Sequence, residues 1–331
     1  MRVGLVGAGM VSEFHLRAWG RCRDANVVAI ADPDVDRAIA RAREFGVAAV
    51  YADLPQMLAR ERLDAVDVAS PRETHATMVT AAAARGCAIL CQKPFAPTLA
   101  EAQRLLEALP TGARVMIHEN WRFRPAYRHL ARWLAAGKLG TLRSATLTLH
   151  SAALVRDADG RYPMLVRQPF IATLDRLLVA ETLIHHLDVL RWLLGPLSME
   201  SATLERRCVE VLGEDRALLS LLDRSRAAIV VDADLCVPGA PTRAAERLDL
   251  VGSASSIRFA DGALERLGSD PCRIAFDAAA GYQQSFDDCI AHFVDCVAHA
   301  KRFETAPDDN LKTLALVEAA YTLSDRRAGH A

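Results

Sequence analysis

Arg2-Val3-Gly4-Leu5-Val6-Gly7-Ala8-Gly9-Met10-Val11-Ser12 is the stretch on which the fold turns. A short apolar run ends in closely spaced glycines and passes at once into a segment of helical period over 11–19, the pattern of strand, tight turn and helix. At such a joint Gly7 permits the turn, Gly9 lets the backbone approach a pyrophosphate, and helix N–H groups from Met10 and Val11 onward point at the anion. Ser12 replaces a third glycine and is small enough to keep strand and helix close. The second apolar run closes at Asp32, 23 residues after Gly9, the register in which an acidic side chain takes the ribose hydroxyls of a dinucleotide. A carboxylate there repels a 2′-phosphate, so NAD is expected and NADP disfavoured.

Outward from this turn, apolar runs at 2–6, 27–31, 65–69, 88–91 and 115–118, with a short one near Val50, alternate with helix-period segments at 11–19, 34–44, 74–84 and 98–108. Parallel strands need crossover connections, so the pattern predicts an α/β domain of the Rossmann type with a doubly wound parallel sheet. After Arg122 the grammar changes. A helix over 126–135 and a strand over 142–150 precede a helical segment from 179 to 194, which Gly195-Pro196 stops. Strand-like segments follow at 201–211, 218–222, 227–235, 247–252, 256–259 and 273–276, then helices at 283–300 and 307–325. The expected division is a dinucleotide-binding domain over 1–122 and an α+β domain over 123–331 with a large open, mostly antiparallel sheet, the last helix packing back on the first domain.

Composition bounds the function. At roughly 150 residues per domain, 331 residues make two. Forty basic residues against forty-one acidic ones leave a net charge of −1, which advertises neither a nucleic-acid partner nor a membrane surface. No apolar run approaches the roughly 18 residues that span a bilayer. Eight cysteines without a C-x-x-C pair suit a reducing cytoplasm.

Three further groups of residues bear on chemistry. Ser70-Pro71-Arg72-Glu73-Thr74-His75 follows the run at 65–69, at the carboxyl edge where open α/β sheets bind ligands; Ser70 and Pro71 are expected beside the cofactor. His75 is either a nicotinamide-side contact or a first-turn helix residue without one. Gln92-Lys93-Pro94 closes the next strand on the same edge, which puts Gln92 beside the cofactor and places Lys93 to meet nicotinamide and substrate together. Glu119, Asn120 and Arg122 end the sixth strand and are candidates for substrate contact. In Glu181-Thr182-Leu183-Ile184-His185-His186-Leu187-Asp188, helical spacing sets the leucines on a packing face and Glu181, His185, Asp188 and Trp192 opposite. His185, with an ordinary pKa of about 6.5, is suited to take a hydroxyl proton. A metal held by Glu181, His185 and Asp188 is a minor alternative at that spacing, and no metal is expected.

Together these residues resemble the glucose–fructose oxidoreductase, inositol dehydrogenase and rhizopine-catabolism (Gfo/Idh/MocA) family over nearly the whole length. The resemblance rests on Gly4-x-x-Gly7-x-Gly9, Pro71-x-x-x-His75, Lys93-Pro94, Asn120-Trp121-Arg122-Phe123-x-Pro125, Leu139-Gly140 and Glu181-x-x-x-His185-x-x-Asp188 with Trp192 and Gly195. It implies that Lys93 and His185 are the catalytic lysine and histidine, with the nicotinamide between them, and that the second domain's sheet makes homodimer or homotetramer contacts. Gln92 stands where the family usually has glutamate, Glu181 where it usually has aspartate, and Leu183 where glycine is common. The wording around Lys93 and Glu119 is similar to a sugar-dehydrogenase branch.

The expected activity is oxidation of a carbinol in a sugar or cyclic polyol by hydride transfer to NAD. Lys93 holds the oxygen, Glu181 binds a hydroxyl or orients the histidine, and either Lys93 or His185 is the base. Two alternatives stand beside it: an NAD-dependent glycosidase acting by transient oxidation and elimination, and a non-catalytic NAD-binding regulator.

Overall fold

The computed structural model describes residues 1–328, in two compact units. The first comprises Met1–Arg124 with Ala279–Leu314, the second Pro125–Ala278 with the segment from Ala315 onward.

In the first unit β1 (Arg2–Val6), β2 (Asn26–Ala31), β3 (Ala49–Tyr51), β4 (Ala65–Val68), β5 (Ala88–Gln92) and β6 (Val115–His118) form a parallel sheet in the order β3-β2-β1-β4-β5-β6. The chain winds outward from β1 to β3, then returns beside β1 as β4. The strand order therefore reverses between β1 and β4, and a ligand crevice opens at their carboxyl ends. Helices α1 (Ser12–Arg21), α2 (Val35–Phe45), α3 (Leu54–Arg60), α4 (His75–Ala84) and α5 (Leu99–Ala108) make the crossovers. Helix α3 is absent from the sequence reading because seven residues are too few to show a period. It starts where Asp53 accepts from the Gln56 amide at 2.8 Å, as an N-cap should.

The second unit holds α6 (Pro125–Ala135), β7 (Leu142–His150), α7 (Pro163–Arg167) and α8 (Ile184–Leu194), followed by β8 (Leu197–Glu205), β9 (Arg216–Asp223), β10 (Ala228–Asp234), β11 (Ala245–Gly252), β12 (Ser256–Ala260), β13 (Ala263–Leu267) and β14 (Cys272–Ala275). Its eight-stranded sheet runs β14-β13-β12-β11-β7-β10-β9-β8, with β7 and β10 its parallel pair. Two expectations change. The strand expected over 201–211 lies at Leu197–Glu205, because the Asp215 carboxylate takes the amides of Arg207 and Cys208 and draws the chain off the sheet. Strand β13, not anticipated, follows β12 through Asp261 and Gly262 at φ of 50° and 69°, a two-residue hairpin turn that an Asp-Gly pair favours.

The closing helices are α9 (Ala278–Ala298) and α10 (Pro307–Ala328). From Ala279 on, α9 belongs to the first unit, and its apolar face explains why: Phe286, Cys289, Ile290 and Phe293 are buried in one cluster with Trp19, Leu5 and Ile30. Phe14 stacks on Phe286 at 5.3 Å and meets Tyr282 edge-on at 5.1 Å. Helix α10 divides after Leu314, its first turns going with the first unit. Among the described residues no helix is long and apolar enough to cross a membrane.

Candidate active site

The glycine turn is built from backbone. Gly7 has φ +99°, and a Cβ on it would lie 2.6 Å from the Ala69 carbonyl oxygen at the end of β4, so the turn itself excludes a side chain. Gly9 differs, since a Cβ there meets no atom within 4 Å. Nothing in the protein requires a glycine at Gly9; a ligand that must come close to the backbone does. Ser12 is fully buried and donates to the Gly9 carbonyl at 2.6 Å. At the end of β2 the Asp32 carboxylate accepts from the Ala8 amide at 2.6 Å and the Asp34 amide at 2.8 Å. It thus joins the glycine turn to the neighbouring strand. A cleft of about 380 Å³ opens against Ala8, Gly9 and Met10 on one side and Arg37, Ala40, Arg41 and Glu44 on the other. Met10 is exposed. Each guanidinium of this cleft already faces a carboxylate, Arg37 that of Asp34 at 2.8 Å and Arg41 that of Glu44 at 2.7 Å. Backbone amides at a helix start, a void beside Gly9 and a placed carboxylate fit a dinucleotide's pyrophosphate and ribose. A larger hollow of about 500 Å³ lies at the amino end of β6. There Arg114 stacks over Phe303 and donates to the Cys296 and Lys301 carbonyls, so its cation serves the fold.

The other crevice residues follow β4 and β5. The Ser70 hydroxyl meets that of Thr74 at 2.7 Å, and Thr74 donates to the Pro71 carbonyl at 2.7 Å. Lys93 is half-buried and its peptide bond to Pro94 is cis. Its backbone N–H donates to Gln92 Oε1 at 2.8 Å. The His75 ring is 99% buried, with Nδ1 2.8 Å from the Pro94 carbonyl and Nε2 3.0 Å from that of Ser70. Of the two readings of His75, the geometry favours the strut, because both nitrogens face protein carbonyls and tie the two loops together. Burial pushes its pKa below the ordinary histidine value, against the partial support of those carbonyls.

Asn120 and Arg122, expected among the substrate contacts, are engaged inside the first unit. Asn120 donates to Ser285 at 2.8 Å, and Arg122 pairs with Asp309 at 2.5 Å and reaches the Glu304 carbonyl. Both are 97% buried, and Glu119 is wholly so.

Glu181 and His185 belong to the second unit. The segment expected as one α-helix over 179–194 begins as a π-helical turn, Leu178–Leu183, and becomes α-helical at Ile184. The wider turn changes the angular spacing between Glu181 and His185 from that of a 3.6-residue period. His185, His186 and Asp188 are all buried, Arg191 lies 3.3 Å from Asp188, and Arg128 sits over the Trp192 ring. His186 donates through Nδ1 to the Thr182 carbonyl and places Nε2 3.3 Å from Glu246, a packing role. Among the described residues no group of three or more His, Cys, Asp or Glu side chains is placed to hold a metal ion.

The residue that sets this turn was not singled out from the sequence. Glu214 accepts through its carboxylate from the Leu177 and Val179 amides at 3.2 and 2.9 Å, and through its carbonyl from Leu178 at 3.0 Å. Tyr321 donates to the same carboxylate at 2.6 Å, and its phenol is pushed far above its ordinary pKa, chiefly by burial and then by Glu214. Arg176 covers the Tyr321 ring at 4.4 Å and pairs twice with Glu318 at 2.9 Å. Capping by a carboxylate 33 residues downstream of Glu181 leaves no local signal.

The family model described as an oxidoreductase family with an NAD-binding Rossmann fold matches residues 1–119. A D-apiose dehydrogenase of Paraburkholderia graminis is 34% identical over 330 residues, covering 96% of this chain and 86% of that one. An inositol 2-dehydrogenase of Saccharopolyspora erythraea is 27% identical, with 96% and 92% covered. Among solved structures, an oxidoreductase from Agrobacterium radiobacter in complex with NAD+, L-tartaric acid and magnesium superposes with a TM-score of 0.88 at 26% identity, covering 98% of this chain and 96% of that one. The relatives are named as dehydrogenases and lend nothing to the glycosidase or regulatory alternatives. With the parallel sheet, the glycine turn and the lysine loop in place, the chain belongs to the Gfo/Idh/MocA oxidoreductase family.

Proposed function

We propose that the protein is an NAD-dependent dehydrogenase that oxidises a carbinol of a sugar or cyclic polyol. The observation that carries the cofactor choice is the Asp32 carboxylate, fixed by the Ala8 and Asp34 amides at the end of β2. An anion held there by N–H donors accepts from ribose hydroxyls and opposes a 2′-phosphate. The prior pairing of Arg37 and Arg41 with carboxylates points the same way. The polyol substrate class is supported by the relatives' names, D-apiose and inositol dehydrogenases.

When bound, the nicotinamide supplies the hydride acceptor. The glycine turn's amides and α1 hold the pyrophosphate, and Ser70 and Pro71 flank the approach to the ring. The Lys93 ammonium holds the carbinol oxygen and offsets its developing negative charge. His185 takes the hydroxyl proton, a task matched to an imidazole near neutral pH, and Glu181 binds a neighbouring hydroxyl. We place the enzyme in a reducing cytoplasm. Cys87 and Cys91 around β5 are thiols whose pKa is raised by burial, as inert structural cysteines have. We also assign it a homo-oligomeric state through the eight-stranded sheet, whose strands expose Leu218, Val251 and Leu267. Light scattering on the purified protein tests that assembly; a monomer at all concentrations rejects it. The function is tested by following reduction of NAD and NADP against a panel of aldoses, cyclic polyols and their glycosides. Net NADH formation from a free sugar or polyol is expected, while glycoside cleavage without net reduction overturns the reading.

A further inference from the structure

Beneath Lys93 the first unit contains a chain of polar groups that the reaction does not use directly. Asp67 stands inside β4 between Val66 and Val68, with no exposed surface. His15 of α1 is equally buried, its Nδ1 2.8 Å from Asp67 Oδ2, and Trp19 Nε1 lies 2.7 Å from the same oxygen. On the far side of the ring, His15 Nε2 is 3.1 Å from Gln92 Nε2, and Gln92 Oε1 accepts from the Lys93 N–H. The ring also meets His118 of β6 at 4.3 Å and Phe286 of α9 at 5.3 Å.

Two donors of fixed sense orient the whole chain. The Lys93 N–H can only donate, so the Gln92 oxygen faces it and the Gln92 NH₂ faces His15. Nε2 of His15 must then accept, which leaves the ring proton on Nδ1, directed at Asp67. The Trp19 indole, also donor only, completes Asp67 Oδ2. We propose that Asp67 and His15, with His15 held as the neutral Nδ1–H tautomer, are positioning residues that fix the Gln92 amide and through it the backbone of Lys93. The proposal rests on the reading of Lys93 as the catalytic lysine.

The chain also explains how glutamine serves at a position where the family usually has glutamate. A glutamate at 92 would accept from Lys93 and need a second proton on His15, giving an imidazolium between two carboxylates. Its summed charge would be −1. Glutamine with a neutral ring and one carboxylate also sums to −1. The protein keeps the same summed charge with one cation and one anion fewer.

The test uses the full-length protein with NAD bound and nitrogen-15-labelled histidine, observing the imidazole nitrogens by NMR, with His15→Gln to assign the resonance. At neutral pH the wild-type ring is expected as neutral Nδ1–H, and Q92E should convert it to the imidazolium. Gln92→Leu, a change at a half-buried position, should lower kcat about 10–100-fold. Q92E, which keeps an oxygen to accept from the Lys93 N–H, should recover most of that loss. A wild-type imidazolium, an Nε2–H tautomer, or an unchanged kcat in a folded Gln92→Leu protein overturns the proposal. Lys93→Met separates the two ideas: if it keeps full turnover the role of Lys93 fails, whereas the tautomer of His15 is read from the spectrum without reference to turnover.

Discussion

The glycine turn after β1 and the segment Leu178–Leu194 carry the proposed binding groups, and they are held in opposite ways. At the turn the working groups are backbone amides, fixed by a positive φ at Gly7 and by Asp32 across one strand. In the second segment the proposed working groups are side chains, carried on and just after a π-helical turn. The carboxylate that caps this turn comes from Glu214 and is buttressed by Tyr321. The first device is local and tolerates little change in backbone. The second is assembled from distant parts of the second unit, and gives way when one buried polar partner is removed.

The largest effects are expected at the side chains proposed to do the chemistry. His185→Ala and Lys93→Met are each expected to lower kcat by about 10²–10⁴-fold, the span of general acid–base and charge stabilisation, with NADH affinity measured by fluorescence nearly unchanged. Equal loss of cofactor affinity would make these residues part of the nucleotide site. Next come the two glycines, which separate conformation from approach. Gly7→Ala forces a Cβ against the Ala69 carbonyl at positive φ and should cost about 1–3 kcal/mol of stability. Gly9→Val enters open space and should leave the melting temperature alone while weakening NAD binding in calorimetry. If both variants behave alike, the distinction between a turn glycine and a contact glycine is lost.

Glu214→Gln leaves the Leu177 and Val179 amides with a weaker acceptor, and should cost about 1–3 kcal/mol. Its kcat should fall with KM for NAD preserved, since the cofactor turn lies in the other unit. A pure stability loss with normal kcat would show that the cap holds the fold and not the site. The smallest effect is acidic. His75 is buried with a lowered pKa, so the unfolded chain binds its proton more readily than the folded one. The stability this ring contributes is complete above the unfolded value of about 6.5 and is lost as pH falls through the lower folded value. His75→Gln should flatten the fall in urea midpoint between those limits, and an unchanged slope refutes the buried neutral ring.

These two regions also mark how much was legible in the sequence. Glycine needs and strand periods act over a few residues, so the parallel sheet, the turn and the place of Asp32 follow from local pattern. The hairpin at Asp261-Gly262 was open to the same reasoning. The π turn was not, because Glu181 and His185 announce their identities while the carboxylate that caps the turn, Glu214, comes from another strand connection. Asp67 left a clue that went unused: an acid inside the apolar run Ala65-Val66-Asp67-Val68 is costly in a strand buried on both faces unless something pairs with it. His15 is that partner, and neither its number nor its helix reveals it without coordinates. Asn120 and Arg122 stand at a strand end, which marks a ligand edge, and their side chains engage α9 and the start of α10.

The most direct measurement of the central claim is transfer of deuterium from a polyol labelled at its carbinol carbon to the nicotinamide, compared in the wild type and in His185→Ala. The account predicts labelled NADH from the wild type, with a rate collapsed in the variant and NAD still bound. Unlabelled NADH, no reduction with any sugar or polyol, or undiminished transfer in His185→Ala would contradict it.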